Sequence, residues 1–108
     1  MKKGIALLTV SLLMVLYAAD ARAGDSKKIS GEKEFKEYCA VCHPDGGNIV
    51  NPQKTLHKKD REANNVKTAA DIIGKMRKPG PGMTQFDKDT ISDEKARAIA
   101  KYILKTFN

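Results

Sequence analysis

Two cysteines and a histidine form the motif with the most distinctive chemistry in this sequence. Cys39 and Cys42 are three positions apart and His43 follows directly, which spells C-x-x-C-H. Thiols at this spacing on one helical turn can each form a thioether with one vinyl group of the same porphyrin. The histidine then lies under the iron and can bind it. The motif uses both cysteines of the 108-residue chain and predicts one covalently attached haem c.

Three other uses of a cysteine pair agree less well with the sequence. A thioredoxin-like redox pair needs a βαβ setting, and no strand pattern flanks this motif. A zinc site needs more ligands, and only His57 remains to supply one. A single structural disulfide is the third alternative. The histidine directly after the second cysteine favours haem attachment over all three.

The N-terminus has the features of a secretory signal peptide. Lys2 and Lys3 precede an apolar run from Gly4 to Ala19, and Ala21-Arg22-Ala23 is an A-x-A cleavage site. A retained membrane anchor is the alternative, but the run is shorter than the ~20 apolar residues that a span needs. We therefore expect export to the periplasm, which agrees with haem attachment because c-type haem is attached outside the bacterial cytoplasm.

Cleavage would divide the chain into a signal peptide, residues 1–23, and one small domain, residues 24–108. It removes three basic residues and one acidic residue, so the net charge falls from +7 to +5. A domain of this size that contains no tryptophan has few side chains with which to build a core. We expect the haem to complete that core and the haem-free chain to be poorly folded. Export and the lack of aromatic–basic interleaving argue against nucleic-acid binding.

Helical periodicity predicts an all-α fold of three or four short helices with long loops. The first helix is capped at 30–31 and runs to about Cys42. A short helix is expected around Lys54–Asp60, a capping box at Thr68–Asp71 begins another, and Ser92 caps the last. The side chains predicted to be buried in the last two helices are Ile72, Ile73, Met76, Ala96, Ile99, Ala100, Ile103 and Phe107.

A second axial ligand to the iron is expected in the loop after the third helix. Met83 follows Gly80-Pro81-Gly82, where glycines permit close approach to a porphyrin and proline fixes the direction of the loop. A methionine sulfur in that position favours ferrous iron and raises the reduction potential. Met76 and His57 are alternative ligands, although Met76 is expected in the core and His57 in a solvated basic loop.

In this order, the motifs resemble those of a class I monohaem cytochrome c, near the small bacterial group that includes cytochromes c5, c6 and c551/c552. The resemblance implies a haem wrapped by the helices, with His43 and Met83 as axial ligands. It also implies a soluble, monomeric carrier that shuttles electrons and is not an enzyme. The residues that carry it are Gly31 and Phe35, the C-x-x-C-H motif, Asp45-Gly46, Gly82-Met83-Thr84-Gln85-Phe86, and Ile99 with Tyr102.

Two positions depart from the family pattern. Thr84 stands where the family often has a proline that stiffens the ligand loop, so the sequence does not establish how rigid this loop is. Pro44 follows the proximal histidine and has no N–H, which would alter hydrogen bonding on that side. Neither change removes a ligand.

Basic residues near the expected haem crevice suggest how redox partners are recognised. We expect a positive rim that attracts partners with acidic surfaces, although ordinary solvated lysines are the alternative. A ligand sensor with an open sixth position and a peroxidase-like enzyme remain as rival functions. The rim residues are Lys33, Lys36, Lys54, Lys58, Lys59, Lys75 and Lys78.

Overall fold

The computed structural model describes residues 28–108, so the predicted signal peptide and its cleavage site lie outside the described residues. This part of the chain contains helices and no strand, which confirms the all-α prediction. None of its helices is long and apolar enough to cross a membrane. The helices are α1 (Gly31–Tyr38), α2 (Lys58–Ala63), α3 (Ala69–Arg77) and α4 (Asp93–Thr106), with a 3₁₀ turn at Pro44–Gly46.

Side chains cap three of the helices at the predicted positions. The Ser30 hydroxyl accepts a hydrogen bond from the Lys33 amide, and Ser92 caps α4 in the same way. Thr68 and Asp71 form a reciprocal capping box at the start of α3. Backbone N–H groups donate to the Asp71 carboxylate and hold its pKa below the ordinary value. These contacts satisfy amides that have no partner within the helix.

The first helix ends at Tyr38, earlier than the predicted boundary near Cys42. The amides of Cys39 and Ala40 both donate to the Phe35 carbonyl, and the His43 amide then donates to the Cys39 carbonyl. The helical hydrogen-bond series therefore breaks where the motif begins. The cysteines and the histidine occupy a separate turn that is attached to the end of α1.

The predicted short helix begins at Lys58 and not near Lys54. The Asn48 side chain organises the preceding segment instead. Its Oδ1 accepts from the amides of Val50 and Asn51, and its Nδ2 donates to the Lys54 carbonyl. These bonds satisfy backbone groups locally and compete with helix formation over residues 48–54.

The core lies where α4 packs against both α1 and α3. Phe35 of α1 places its ring 5.3 Å from Tyr102 and 5.4 Å from Phe107, measured between ring centroids. Gly31 touches α4 so closely that a Cβ at this position would lie 2.1 Å from the Ala98 carbonyl oxygen. The first and last helices therefore cross in direct contact at Gly31. The buried apolar side chains are Phe35, Ile72, Met76, Ile91, Ala96, Ile99, Ala100, Ile103 and Phe107.

The crossing predicts the effect of adding one methyl group to either of two helical glycines. Gly31→Ala should lower the free energy of unfolding by about 1–3 kcal/mol, because α1 must move away from the α4 backbone. Gly74→Ala is the matched control, since nothing lies within 4 Å of a Cβ at that exposed position on α3. It should raise the stability by about 0.5–1 kcal/mol through helix propensity. Urea denaturation of the two variants measures both effects, and equal changes would contradict the crossing.

Candidate functional site

A cavity of about 460 Å³ lies between the C-x-x-C-H turn, α3 and the loop that follows α3. Cys39, Cys42 and His43 line one part of it, and Met83 lines another. The structure therefore brings together all four residues that the sequence singled out, although 40 positions separate His43 from Met83. Apolar side chains that also line the cavity include Leu56, Val66, Ile72, Met76, Phe86 and Ile103.

The His43 ring is oriented by its own segment of chain. Its Nδ1 lies 2.7 Å from the Gly47 carbonyl oxygen, and this bond requires Nδ1 to carry the proton and to donate. The tautomer leaves the lone pair of Nε2 free to bind a metal, as is usual for ligating histidines. Pro44 opens the 3₁₀ turn between the two residues, at a position where a missing N–H costs little. The proline therefore does not remove the hydrogen bond on the proximal side.

A glycine contact fixes the end of that turn. Gly46 is buried with φ of 77°, and a Cβ there would lie 2.5 Å from the Phe107 ring. The Leu56 amide donates to the Gly46 carbonyl, which closes the loop that the Asn48 side chain organises. The histidine turn thus rests directly on the end of α4.

The two cysteine thiols are free and half-buried. Burial is the main cause that raises the pKa of the Cys39 thiol to about 11, with a smaller contribution from Cys42. Thiol–disulfide oxidoreductases depend on the opposite shift, a lowered pKa that produces thiolate at neutral pH. The environment of Cys39 therefore argues against the thioredoxin-like alternative.

A tight turn carries Met83 to the cavity. The Met83 amide donates to the Gly80 carbonyl, and Pro81 and Gly82 occupy the two central positions. Gly82 has φ of 85°, which is the requirement of a type II turn at its third residue. A Cβ on Gly82 would also lie 2.9 Å from a methyl carbon of Val50. Only glycine allows the two loops to meet at this point.

The two alternative sixth ligands have different surroundings. Met76 lines the cavity but is also a buried member of the core on α3, as expected. His57 does not line the cavity. Its exposed ring packs edge-on against Phe107 at 5.7 Å, and its backbone precedes α2. The structure therefore separates His57 from the other candidate ligands.

Arg61 lines the cavity and was not identified from the sequence. Its side chain is buried, with only 4% of the residue exposed. Its Nε donates to the Leu56 carbonyl at 2.7 Å and its Nη2 to the Phe107 carbonyl at 3.4 Å. One sequence feature could have indicated its burial. Residues 58–63 contain no large apolar side chain to face the core, which leaves that place to a charged one.

The charge of Arg61 is not balanced by an ion pair within residues 28–108. A buried guanidinium without a carboxylate partner is costly. Haem is a flat apolar group that carries two carboxylates, so its two parts match the apolar walls and this cation. The thiols, the imidazole and the thioether sulfur supply its covalent and axial bonds. The residues present therefore fit the group that the motif predicts.

The predicted lysine rim is assembled only in part. Lys54 and Lys75 line the cavity, whereas the other five lysines of the predicted rim are not among the lining residues. Apolar side chains are exposed beside the same cavity, since Val41 is 76% and Val50 is 57% exposed. The surface around the cavity is therefore a mixture of apolar groups and a few cations.

Comparison with known proteins shows the family of this chain. The sequence model of the family described as "Cytochrome C oxidase, cbb3-type, subunit III" matches residues 27–103. Cytochrome c6 of Nostoc sp. (strain PCC 7120) is 35% identical over 106 residues, which cover 96% of this chain and 93% of the relative. Cytochrome c6 of Synechocystis sp. (strain PCC 6803) is 34% identical, covering 94% of this chain and 83% of the relative.

Solved structures show the same likeness. OmcF, the outer membrane cytochrome F of Geobacter sulfurreducens, superposes with a TM-score of 0.71 at 42% identity, covering 73% of this chain and all of that one. Cytochrome c6C of Synechococcus sp. PCC 7002 gives a TM-score of 0.66 at 30% identity, covering 71% and 93%. The chain therefore belongs to the class I monohaem cytochromes c, electron-transfer proteins that bind one covalent haem c.

Proposed function

We propose that this protein is a soluble, monomeric carrier that passes single electrons between redox partners in the periplasm. The observation that supports it most is the meeting of Cys39, Cys42, His43 and Met83 on one cavity. The carrier has no substrate in the enzymatic sense. The proposal includes export with cleavage after Ala23, on the sequence features of the N-terminus.

Each of the four residues has a separate role in this proposal. Cys39 and Cys42 would form the thioether bonds, and His43 and Met83 would each supply one ligand to the iron. When bound, the haem supplies one-electron chemistry through its ferric and ferrous states. The Gly47 carbonyl keeps the proton on His43 Nδ1, and the proline–glycine turn presents Met83. Ligands held in this way change little in position when the charge on the iron changes.

Other side chains that line the cavity limit the access of water and supply a positive charge. Phe86 and Met76 belong to, or pack against, the buried core and form part of the apolar wall. They would keep water away from a bound haem, which is one of the factors that set the potential. Arg61 would pair with a propionate, since its unused N–H groups are the buried donors that a carboxylate needs.

Mass spectrometry of the denatured protein tests the proposal directly. The protein should be exported from a host that has the machinery for c-type haem attachment. A mass equal to residues 24–108 plus one haem is expected, because thioether bonds survive denaturation. The bare-chain mass, or one lower by two hydrogens, would show a thiol pair or a disulfide and would contradict the proposal. Cys39→Ala with Cys42→Ala is the control, and it should carry no covalent haem.

The two methionines of the cavity provide a matched test of the distal ligand. Met83→Leu should lower the reduction potential, on the order of a few tenths of a volt, because it removes the thioether sulfur from the iron. It should also abolish the charge-transfer band of methionine-ligated ferric haem. Met76→Leu removes a sulfur from the same cavity but should keep the band and cost less than about 1.5 kcal/mol of stability. Loss of the band in Met76→Leu alone would assign the ligand to Met76.

The two lysines on the cavity wall predict how charge affects electron exchange. Oxidation of the ferrous protein by ferricyanide should slow as salt is added, because the anion is attracted to Lys54 and Lys75. Replacing both by glutamine should lower the rate at low salt roughly several-fold. The same change at Lys101 and Lys105, which do not line the cavity, is the control. A rate independent of salt would contradict a steering role.

A further inference from the structure

The loop that carries Met83 contains no regular secondary structure between α3 and α4, over residues 78–92. Water and small molecules compete with a ligand on such a loop for the iron. The segments on both sides of Met83 must therefore be held in place. The type II turn fixes the side before Met83. Thr84 and Gln85 follow it without a proline, so the side after Met83 must be held in another way.

Two backbone carbonyls at the end of α3 hold the segment that follows Met83. The last carbonyls of a helix have no partner within the helix and must find one elsewhere. The Met76 carbonyl accepts from the Phe86 amide at 2.9 Å, and the Arg77 carbonyl accepts from Gln85 Nε2 at 2.9 Å. The segment directly after Met83 therefore docks on the last turn of α3.

The Arg77 side chain completes the attachment from the same turn. Its Nη1 donates to the carbonyls of Phe86 at 3.1 Å and Ile91 at 2.8 Å, and its Nη2 donates to Asp93 Oδ1 at 3.0 Å. The side chain is only 19% exposed. These three bonds join the ligand loop to the start of α4. A planar, permanently charged guanidinium suits this task because it offers several donors in fixed directions.

We infer that Arg77 is a positioning residue that holds Met83 over the cavity by fixing Phe86, three residues further along the chain. The backbone of Phe86 is bonded on both sides, through its amide to Met76 and through its carbonyl to Arg77. Met83 then lies on a short span between this point and the turn at Gly80. The inference rests on the proposed function, in which Met83 is the distal ligand.

Competition by imidazole measures how often the loop opens. Imidazole binds ferric iron only when Met83 has left it, so the apparent dissociation constant varies inversely with the open fraction. Arg77→Met removes the three charged hydrogen bonds and should tighten apparent imidazole binding by about ten-fold or more. Arg97→Met is the matched control, because Arg97 is exposed on α4 and makes none of these bonds. It should bind imidazole as the unaltered protein does.

A second measurement separates positioning from general stability. In urea, the charge-transfer band of the methionine ligand should disappear at a lower concentration than the helical circular dichroism in Arg77→Met. That order would show the loop opening as a local unit. If both signals shift together and imidazole affinity is unchanged, Arg77 supports only overall stability and the inference is wrong.

A conservative variant keeps the test available if Arg77→Met does not accumulate as holoprotein. Arg77→Lys retains the charge but cannot reach all three acceptors in the same geometry, so it should bind imidazole with an intermediate affinity. An affinity equal to that of the unaltered protein would contradict the inference. Failure of the proposed function looks different, because the unaltered protein itself would then lack the methionine band.

Discussion

The close crossing of α1 and α4 is the contact on which the rest of the structure depends. Gly31 lies against the Ala98 carbonyl, and Phe35 fits between Tyr102 and Phe107. The Phe35 carbonyl then accepts the two amides that begin the cysteine turn. The position of the attachment motif is therefore set by a helix contact that lies before it in sequence. Any shift of α1 on α4 would be transmitted to both cysteines.

The two proposed axial ligands are held by different means. His43 is oriented by a carbonyl only four residues away, so its geometry is local to the turn. The segment after Met83 is held through Arg77 of α3, whose partners Phe86, Ile91 and Asp93 lie nine to sixteen residues further along the chain. The proximal side can therefore form with the motif itself, whereas the distal side requires α3 and α4 to have packed. The Met83 loop therefore depends more on tertiary packing than the His43 turn does.

Sequence reasoning was successful where the controlling interactions are local. The Ser30 and Ser92 caps and the Thr68–Asp71 capping box depend on partners three residues away, so the sequence reveals them. The apolar stripe of α4 also follows from helical spacing. The two cysteines and His43 were singled out because their spacing suits a porphyrin, and the structure places them with Met83 on one cavity. Their roles in binding haem stay a prediction.

The missed features are charged or polar side chains whose partners are distant backbone carbonyls. Arg61 donates to the Phe107 carbonyl, 46 residues away, and Arg77 donates to Ile91 and Phe86. For Arg61 the only sequence signal is that α2 contains no large apolar side chain, and for Arg77 the sequence does not distinguish a buried arginine from a solvated one. The early end of α1 could not be predicted either. The Phe35 carbonyl accepts from two amides at once, and helical periodicity does not show this.

The burial of Arg61 links the cofactor to folding. Within the described residues the guanidinium satisfies carbonyl groups but forms no ion pair, so the protein part alone leaves a charge in a poorly hydrated place. The carboxylates of the haem are the missing counter-charge in the proposed arrangement. The apolar porphyrin would also fill the cavity, whose walls include the core residues Ile72, Met76 and Ile103. The counter-charge for Arg61 and the filled cavity would both stabilise the folded state only after the haem is attached. This gives a physical reason why a core of few side chains suffices.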